Sequence, residues 1–312
     1  MTIENPNLDA AHPEIVKGLR LKKTAAIASI SIAGILVATK LIAYMITDSV
    51  SMMSSFMDST FDMIASSLTM FSIIRAALPA DKKHRFGHGK VESLAAIGQA
   101  IFILASAGYL FIESMHRFVH PQKIAAIGFG IYVMLLSIVL TIGLITFQYY
   151  VIKQTKSVAV KADHLHYKGD LLMNIGVIGS FVVSHYFNWL YFDPLFATFI
   201  AFILLYSSYE IAKESFGILI DKELPEEDRE KIKAIVRSHK DVCAIHDLRT
   251  RYSGHQMFIE FHLEVQGDIS LKKSHDITEE IEVKIYEAFP KSEVMIHQEP
   301  CGIKDHRLDN KL

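Results

Sequence analysis

The chain has 312 residues, 51% of them hydrophobic, and a mean hydropathy of +0.27. An ordinary soluble fold reaches about 45–50% only with glycine counted, so a wholly soluble globular protein is excluded. A formal net charge of -2 excludes a nucleic-acid binder with a concentrated basic face, and two cysteines, Cys243 and Cys301, are too few for a disulfide scaffold and point to a reducing compartment.

The N-terminal stretch MTIENPNLDAAHPEIVKGLR lacks the basic and apolar regions of a signal peptide and reads as a cytoplasmic arm over 1–23. A bilayer core about 30 Å thick needs roughly 20 apolar residues per helix, and six segments meet that length, at about 24–46, 50–77, 92–117, 124–151, 162–189 and 194–219. Lys40, near the end of the first, reads as a snorkelling side chain. Lys17, Arg20, Lys22 and Lys23 precede the first span, Arg75, Lys82, Lys83, Arg85 and Lys90 surround the second connection, and Lys153, Lys156 and Lys161 occupy the fourth. The opposite side has only Arg117 and Lys123, so both termini are expected in the cytoplasm.

The second span carries Asp58 and Asp62. An aspartate at the centre of a spanning helix costs about 2.5–3.5 kcal/mol on insertion scales, so each needs a partner or a wet pocket. The connection PADKKHRFGHGK follows, with Asp81, His84 and His88 at i, i+3, i+7. That spacing suits ligands on one irregular turn, and equally an ordinary solvated basic loop. The fifth span carries His166 and Asp170, again at i, i+4, with Asn174 one turn beyond. Each pair shares one helix face. Two such faces meeting offer three oxygens and one nitrogen, a donor set of the number and hardness of tetrahedral Zn2+.

From Asp221 the composition turns polar. DKELPEEDREKIKAIVRSH is an amphipathic helix opening after Pro225; CAIHDLRTRYS and QMFIEFHLEV are strands joined by a hairpin turn at Ser253-Gly254. In the second strand Ile259, Phe261, Leu263 and Val265 alternate with Phe258, Glu260, His262 and Glu264. A helix over about 270–288 and a last strand, SEVMIHQE, complete an α-β-β-α-β order, a two-layer α+β domain. The domains are therefore expected at 1–23, 24–220, 221–300 and a tail at 301–312.

The segments MDSTFD, RFGHGKVESLAA, ADHLHYKGD, LIDKELP and IHDLRTRYSG together resemble the cation diffusion facilitator family, and within it the bacterial zinc and iron efflux proton antiporters. The resemblance covers nearly the whole chain. It implies an α-helical membrane protein of six transmembrane helices followed by a ferredoxin-like, metallochaperone-like cytoplasmic domain. It implies a homodimer in the inner membrane that exchanges cytoplasmic metal for protons, with Asp58, Asp62, His166 and Asp170 at the transport-site positions. Asp81, His84 and His88 match the family's loop site, and His246, His262, His275, His297 and Glu299 its binuclear cytoplasmic site, which senses metal and dimerises. One position departs, since relatives carry HQDP where this chain has HQEP with Glu299. His255 and Cys301 lie near these ligands and read as incidental. The resemblance also implies a charge interlock between Lys90 and Asp221, for which two solvated boundary charges are the alternative.

Metal loading needs ionised carboxylates and a neutral imidazole, so carboxylates crowded together release protons when the ion binds. Proton exchange therefore follows from the ligand set. Gly169, Gly176 and Gly179 in the fifth span are expected to let helices approach and shift. The single imidazole favours Zn2+ over Mn2+, while Cd2+ and Fe2+ remain alternatives. The partners expected are lipid, protons and divalent metal, not nucleic acid. A metalloenzyme is disfavoured, because the chain has no HExxH, no GxSxG and no clustered histidine boxes, and a membrane-anchored sensor leaves the charges of the second and fifth spans unexplained.

Overall fold

The computed structural model describes residues 13–47, 50–120, 130–187, 189, 191–254, 256–290 and 292–302. Six long helices come first, α1 (Pro13–Thr47), α2 (Val50–Ala76), α3 (Val91–Val119), α4 (Gly130–Thr155), α5 (Val158–Phe187) and α6 (Phe192–Leu219). Four stretches, Val16–Ile46, Val91–Val119, Ile131–Thr155 and Phe192–Leu219, are long and apolar enough to cross a membrane unaided. The other two helices, α2 and α5, have 27 and 30 residues. At 1.5 Å per residue each reaches ~40 Å, longer than a hydrocarbon core. They carry Asp58, Asp62, Asp163, His164, His166 and Asp170 within their length, which lowers their hydropathy.

Helix α1 begins at Pro13, eleven residues before the expected first span. Proline suits a first helical turn, where its missing N–H has no intrahelical partner, and the cationic turns after it continue the same helix. The expected fourth span starts inside 121–129, which lies outside the described residues, as do residues 1–12, His255 and the tail from 303.

The chain divides into two compact units, one holding Lys17–Leu78 and Val91–Phe216, the other Pro79–Lys90 and Gly217 onward. In the helical unit, Ala25 and Ala26 of α1, Ile73 of α2, Val151 of α4 and Ala159 and Val160 of α5 form a buried cluster. Small side chains let these helices close up. At Gly176 of α5 an added β-carbon would stand 2.4 Å from the Phe196 ring of α6.

The second unit contains α7 (Glu226–Arg237), β1 (Val242–Ser253), β2 (Gln256–Val265), α8 (Leu271–Ala288) and β3 (Ser292–Pro300), in the expected α-β-β-α-β order. Acidic Glu226, Glu227 and Asp228 open α7 and Arg237 closes it, matching the helix dipole, while Ser270 caps α8 by accepting from the Lys273 N–H. The sheet order is β1-β2-β3, with β1 antiparallel and β3 parallel to β2. The parallel pairing follows from the α8 crossover. Ile259, Phe261, Leu263 and Val265 of β2 pack with Ile232 and Val236 of α7 and Ile277, Ile281 and Ile285 of α8 in one core. Period-2 alternation therefore puts Glu260, His262 and Glu264 on the opposite sheet face.

The 79–90 connection packs on this unit through glycine. A β-carbon on Gly89 would fall 2.1 Å from the Ser253 carbonyl oxygen, and Gly254, at φ +64°, faces Gly89 Cα in turn. Phe86 meets the Phe258 ring edge-on at 5.4 Å between centroids, and the Arg251 guanidinium lies 4.6 Å above Phe86. Lys90 Nζ donates to Asp221 Oδ1 at 2.7 Å and to the Leu219 carbonyl at 3.3 Å, so the two boundary charges do pair. Gly89→Ala forces backbone apart and is expected to raise tryptic cleavage at Arg85 on the order of tenfold. Unchanged cleavage kinetics would show the contact to be dispensable.

Candidate metal centre

Three groups of ligand-type side chains converge among the described residues. In the helical unit these are Asp62 of α2 with His166 and Asp170 of α5, whose ligand atoms lie within 4.8 Å of one another. His166 Nε2 is 3.0 Å from Asp62 Oδ1 and 3.7 Å from Asp170 Oδ2. Asp170 Oδ2 is buried with no hydrogen-bond partner. The Phe102 ring of α3 stands edge-on to the imidazole at 6.1 Å. A carboxylate oxygen held out of water without a donor is costly unless a cation or proton satisfies it.

Asp58 is exposed and stands outside this group. The i, i+4 spacing puts it one turn, about 6 Å of helix rise, from Asp62, so the pair converges only on something seated between the two turns. Lys40 does not snorkel outward as its place in the sequence implies. Its Nζ donates to Ser59 Oγ at 2.7 Å, and Ser59 is buried on α2 between the two aspartates.

Three further charged residues, Asp163, Lys22 and Glu92, are buried in the helical unit. Asp163 of α5 is 1% exposed, accepting from Ser29 Oγ at 2.6 Å and Gln148 Nε2 at 2.7 Å on Oδ2, and from Ser66 Oγ at 3.2 Å and Gln99 Nε2 at 3.3 Å on Oδ1. One carboxylate thus gathers α1, α2, α3 and α4 around α5. The signal was present, because Asp163 stands three residues before His166 and seven before Asp170 in ADHLHYKGD, on one helix face. Lys22, counted among the flanking charges, is instead 2% exposed and bonded to Glu92 Oε1 at 2.6 Å, with Ser157 Oγ on Oε2 at 2.6 Å.

The loop group is Asp81, His84 and His88. His84 Nδ1 is 3.2 Å and His88 Nε2 3.5 Å from the Asp81 carboxylate. His88 Nδ1 is buried without a partner. The backbone N–H groups of His84 and Lys83 donate to Asp81 Oδ1 and hold its carboxyl below the ordinary range. Because the folded value is the lower one, the turn keeps this stabilisation above the unfolded carboxylate pKa and loses it as pH falls through the folded value. An NMR titration of the Asp81 carboxyl carbon is expected to give a midpoint under about 3.9; a midpoint above it would contradict the bonding.

The third group is His246 of β1, His262 of β2 and Glu299 of β3. Register explains it, since His246 pairs with His262, His262 with His297, and Glu264 with Glu299. Glu299 is nearly buried, with Oε2 at 3.1 Å from His246 Nε2 and Oε1 at 3.0 Å from His262 Nδ1 and 3.4 Å from His297 Nε2. Its longer side chain therefore reaches the cluster. Glu264 joins it at 3.3 Å from His246 Nδ1, and Asp247, at φ +48° in the β1 bulge, at 3.7 Å from His262 Nε2. The β2 alternation marks Glu264; Asp247 depends on a bulge that no periodicity announces. His275 lies on α8, exposed and outside the group. Cys243 and Cys301, expected to be reduced and the second of them incidental, are joined as a disulfide. Pairing Val242 with Val265 and Val265 with Pro300 brings them together at the sheet end.

The chain matches the cation efflux transmembrane domain over residues 26–220 and the cation efflux protein cytoplasmic domain over 224–301. It is 42% identical over 287 residues to Protein p34 of Rickettsia rickettsii (strain Sheila Smith), covering 92% of this chain and 95% of that protein. It is 41% identical over 285 residues to the cation-efflux pump FieF of Klebsiella pneumoniae subsp. pneumoniae, covering 91% and 94%. The solved metal-bound C-terminal domain of the CzcD transporter from Thermotoga maritima is 31% identical at a TM-score of 0.25, covering 25% of this chain and 93% of that one.

Proposed function

The chain belongs to the cation efflux family of transporters, the cation diffusion facilitators, and from that premise we propose that it exports Zn2+ from the cytoplasm in exchange for protons, as a homodimer. Asp58, Asp62, His166 and Asp170 are the ligands that carry the ion through residues 24–220. The observation that supports this most directly is the convergence of Asp62, His166 and Asp170 inside the helical unit, with a donorless buried oxygen on Asp170. A divalent cation satisfies that oxygen. Protonation of the carboxylate does so as well, which makes ion and protons competitors for one set of atoms.

The cycle follows from that competition. Metal arriving from the cytoplasm displaces protons from Asp62 and Asp170; the loaded site opens outward, and protons from the far side take the carboxylates back and free the ion. Asp58, one turn along α2, completes the donor set when the helices shift. The excess of Lys and Arg in the connections before α1, between α2 and α3 and between α4 and α5 supports cytoplasmic termini and an inner-membrane orientation.

Asp81, His84 and His88 hold a second, weaker ion, and residues 221–300 sense metal and dimerise through His246, His262, His297 and Glu299, with His275 supplied after rearrangement. Ions bridging protomers bias the bundle, a coupling in the thermodynamic sense. Nitrogen among the transport ligands favours Zn2+ over Mn2+, with Cd2+ and Fe2+ as the alternative cargo.

Equilibrium binding of Zn2+, Cd2+ and Fe2+ to the purified full chain carrying His84→Ala, His88→Ala, His246→Ala, His262→Ala and His297→Ala tests the reading. One Zn2+ per protomer is expected to remain bound at the Asp62 site. Loss of all binding in this variant would contradict the division between transport and sensing sites.

A further inference from the structure

Cys243 and Cys301 are 58 residues apart in sequence, with α-carbons 6.0 Å apart and their sulfurs bonded. They belong to a domain of the cytoplasmic type, where thiol buffers reduce structural disulfides and the bonded pairs that persist are redox-sensing or catalytic. The bond is also placed where opening it matters. Cys243 is the extra residue at the register shift between Val242 and Ala244, so the strand ladder does not hold it. Cys301 follows β3, its N–H donating to the Val265 carbonyl at 2.8 Å. The disulfide therefore ties the two outer strands together across the end of β2.

That end of the sheet is beside the histidine cluster. Glu299, whose carboxylate touches His246, His262 and His297, stands two residues before Cys301. The Gly302 N–H, one residue after it, donates to Glu264 Oε2 at 3.0 Å, and Glu264 Oε1 is 3.3 Å from His246 Nδ1. Two of the acids around the histidines, Glu299 and Glu264, are thus fastened within two residues of the bond. Cys243 is exposed and Cys301 half-buried, so a small thiol reagent can reach the pair from the β1 side.

We propose that Cys243 and Cys301 are a reversible thiol–disulfide site for low-molecular-weight disulfides of the glutathione class, and that its oxidation tightens metal binding at the His246, His262 and Glu299 cluster. The metal half of this rests on the reading of that cluster as a sensing site. The Cys243 thiolate attacks one sulfur of the small disulfide, forming a mixed disulfide and expelling one small thiolate. The Cys301 thiolate then attacks the Cys243 sulfur and expels the second. Two protein thiols become one disulfide while one small disulfide becomes two thiols, so the two electrons are accounted for. Oxidation fixes Glu299 and Glu264 against His246 before metal arrives; reduction releases the Cys243 bulge and leaves the ion to order both outer strands.

The test equilibrates the full chain with mixtures of reduced and oxidised glutathione and counts free thiols by the mass added on alkylation. A two-thiol transition between the mixtures is expected; a pair that stays wholly bonded or wholly reduced across them overturns the proposal. Zn2+ titration follows, in the full chain carrying Asp62→Ala, Asp170→Ala and His84→Ala, so that the cluster dominates. Binding in the oxidised form is expected to be about tenfold tighter, within the usual span of coupling between sites. Adding Cys243→Ser and Cys301→Ser is expected to abolish the dependence on the glutathione ratio. Equal affinity in both redox states, or tighter binding on reduction, overturns the coupling. Absence of Zn2+ binding in either state, with the thiol transition intact, overturns it too and places the failure in the reading of the cluster.

Discussion

Asp62→Ala and Asp170→Ala should each reduce Zn2+ flux into proteoliposomes by at least ~100-fold, since even outer-shell partners of metal ligands cost 10–100-fold when removed. Asp62 Oδ1 is 3.0 Å from His166 Nε2, and its loss takes away both a proposed ligand and a partner of the imidazole. Asp170 contributes the donorless buried oxygen, and alanine there leaves the imidazole with one carboxylate instead of two. Either variant that transports Zn2+ at the wild-type rate would place the ion elsewhere. Asp58→Ala is expected to bind Zn2+ more weakly but still to bind it, because Asp58 is exposed and outside the group of three. Flux and equilibrium binding measured on the same preparations separate loss of the site from loss of movement through it.

The second large effect is structural. Asp163→Ala removes the acceptor shared by Ser29, Ser66, Gln99 and Gln148, leaving a cavity and only the secondary partners Ala25, Tyr167, Thr69 and Ser29 for these buried donors. A buried donor left without a partner costs about 1–3 kcal/mol, and hydroxyls that turn to backbone carbonyls reduce the sum, so a loss of at least ~3 kcal/mol is expected. For a unit near 200 residues that corresponds to a fall in thermal unfolding midpoint of roughly 6–12 °C in detergent. Asp163→Asn keeps the side chain's shape but replaces an oxygen acceptor by an NH2 donor facing other donors, and is expected to fall nearly as far. Variants that melt with wild type would show that the network rearranges freely and that Asp163 does not gather the helices. Because Asp163 lies on the same α5 face as His166, the loss should also appear in Zn2+ affinity, though less than for Asp170.

The soluble unit was the most legible part of the chain, because each of its elements is specified locally. Pro225 with three acids opens α7, Ser270 caps α8, and Ile259, Phe261, Leu263 and Val265 alternate with polar residues along β2. Helices α2 and α5 were legible for a different reason. Charged residues inside a spanning segment are costly, and the i, i+4 spacing of Asp58 with Asp62 and of His166 with Asp170 states which face they share.

What the linear pattern does not carry is which long-range partner a side chain reaches. Lys40 reads as a boundary cation by its distance from the helix end, yet it turns to Ser59 on a neighbouring helix. Lys22 reads as a solvated flank, yet it is buried on Glu92, 70 residues away. Asp163 carries the polar signature of its neighbours, but its four donors come from four other helices.

By itself, then, the sequence determined the six helices, the α+β domain after them, and the pairing of carboxylates with an imidazole on α2 and α5, because hydropathy and periodicity are local properties. Only the tertiary structure decided that Asp58 and His275 stand outside their groups, that Glu264 and Asp247 join the histidines, and that Cys243 meets Cys301 across β2. Those facts depend on strand register and helix rotation, where a shift of one residue turns every side chain to the other face.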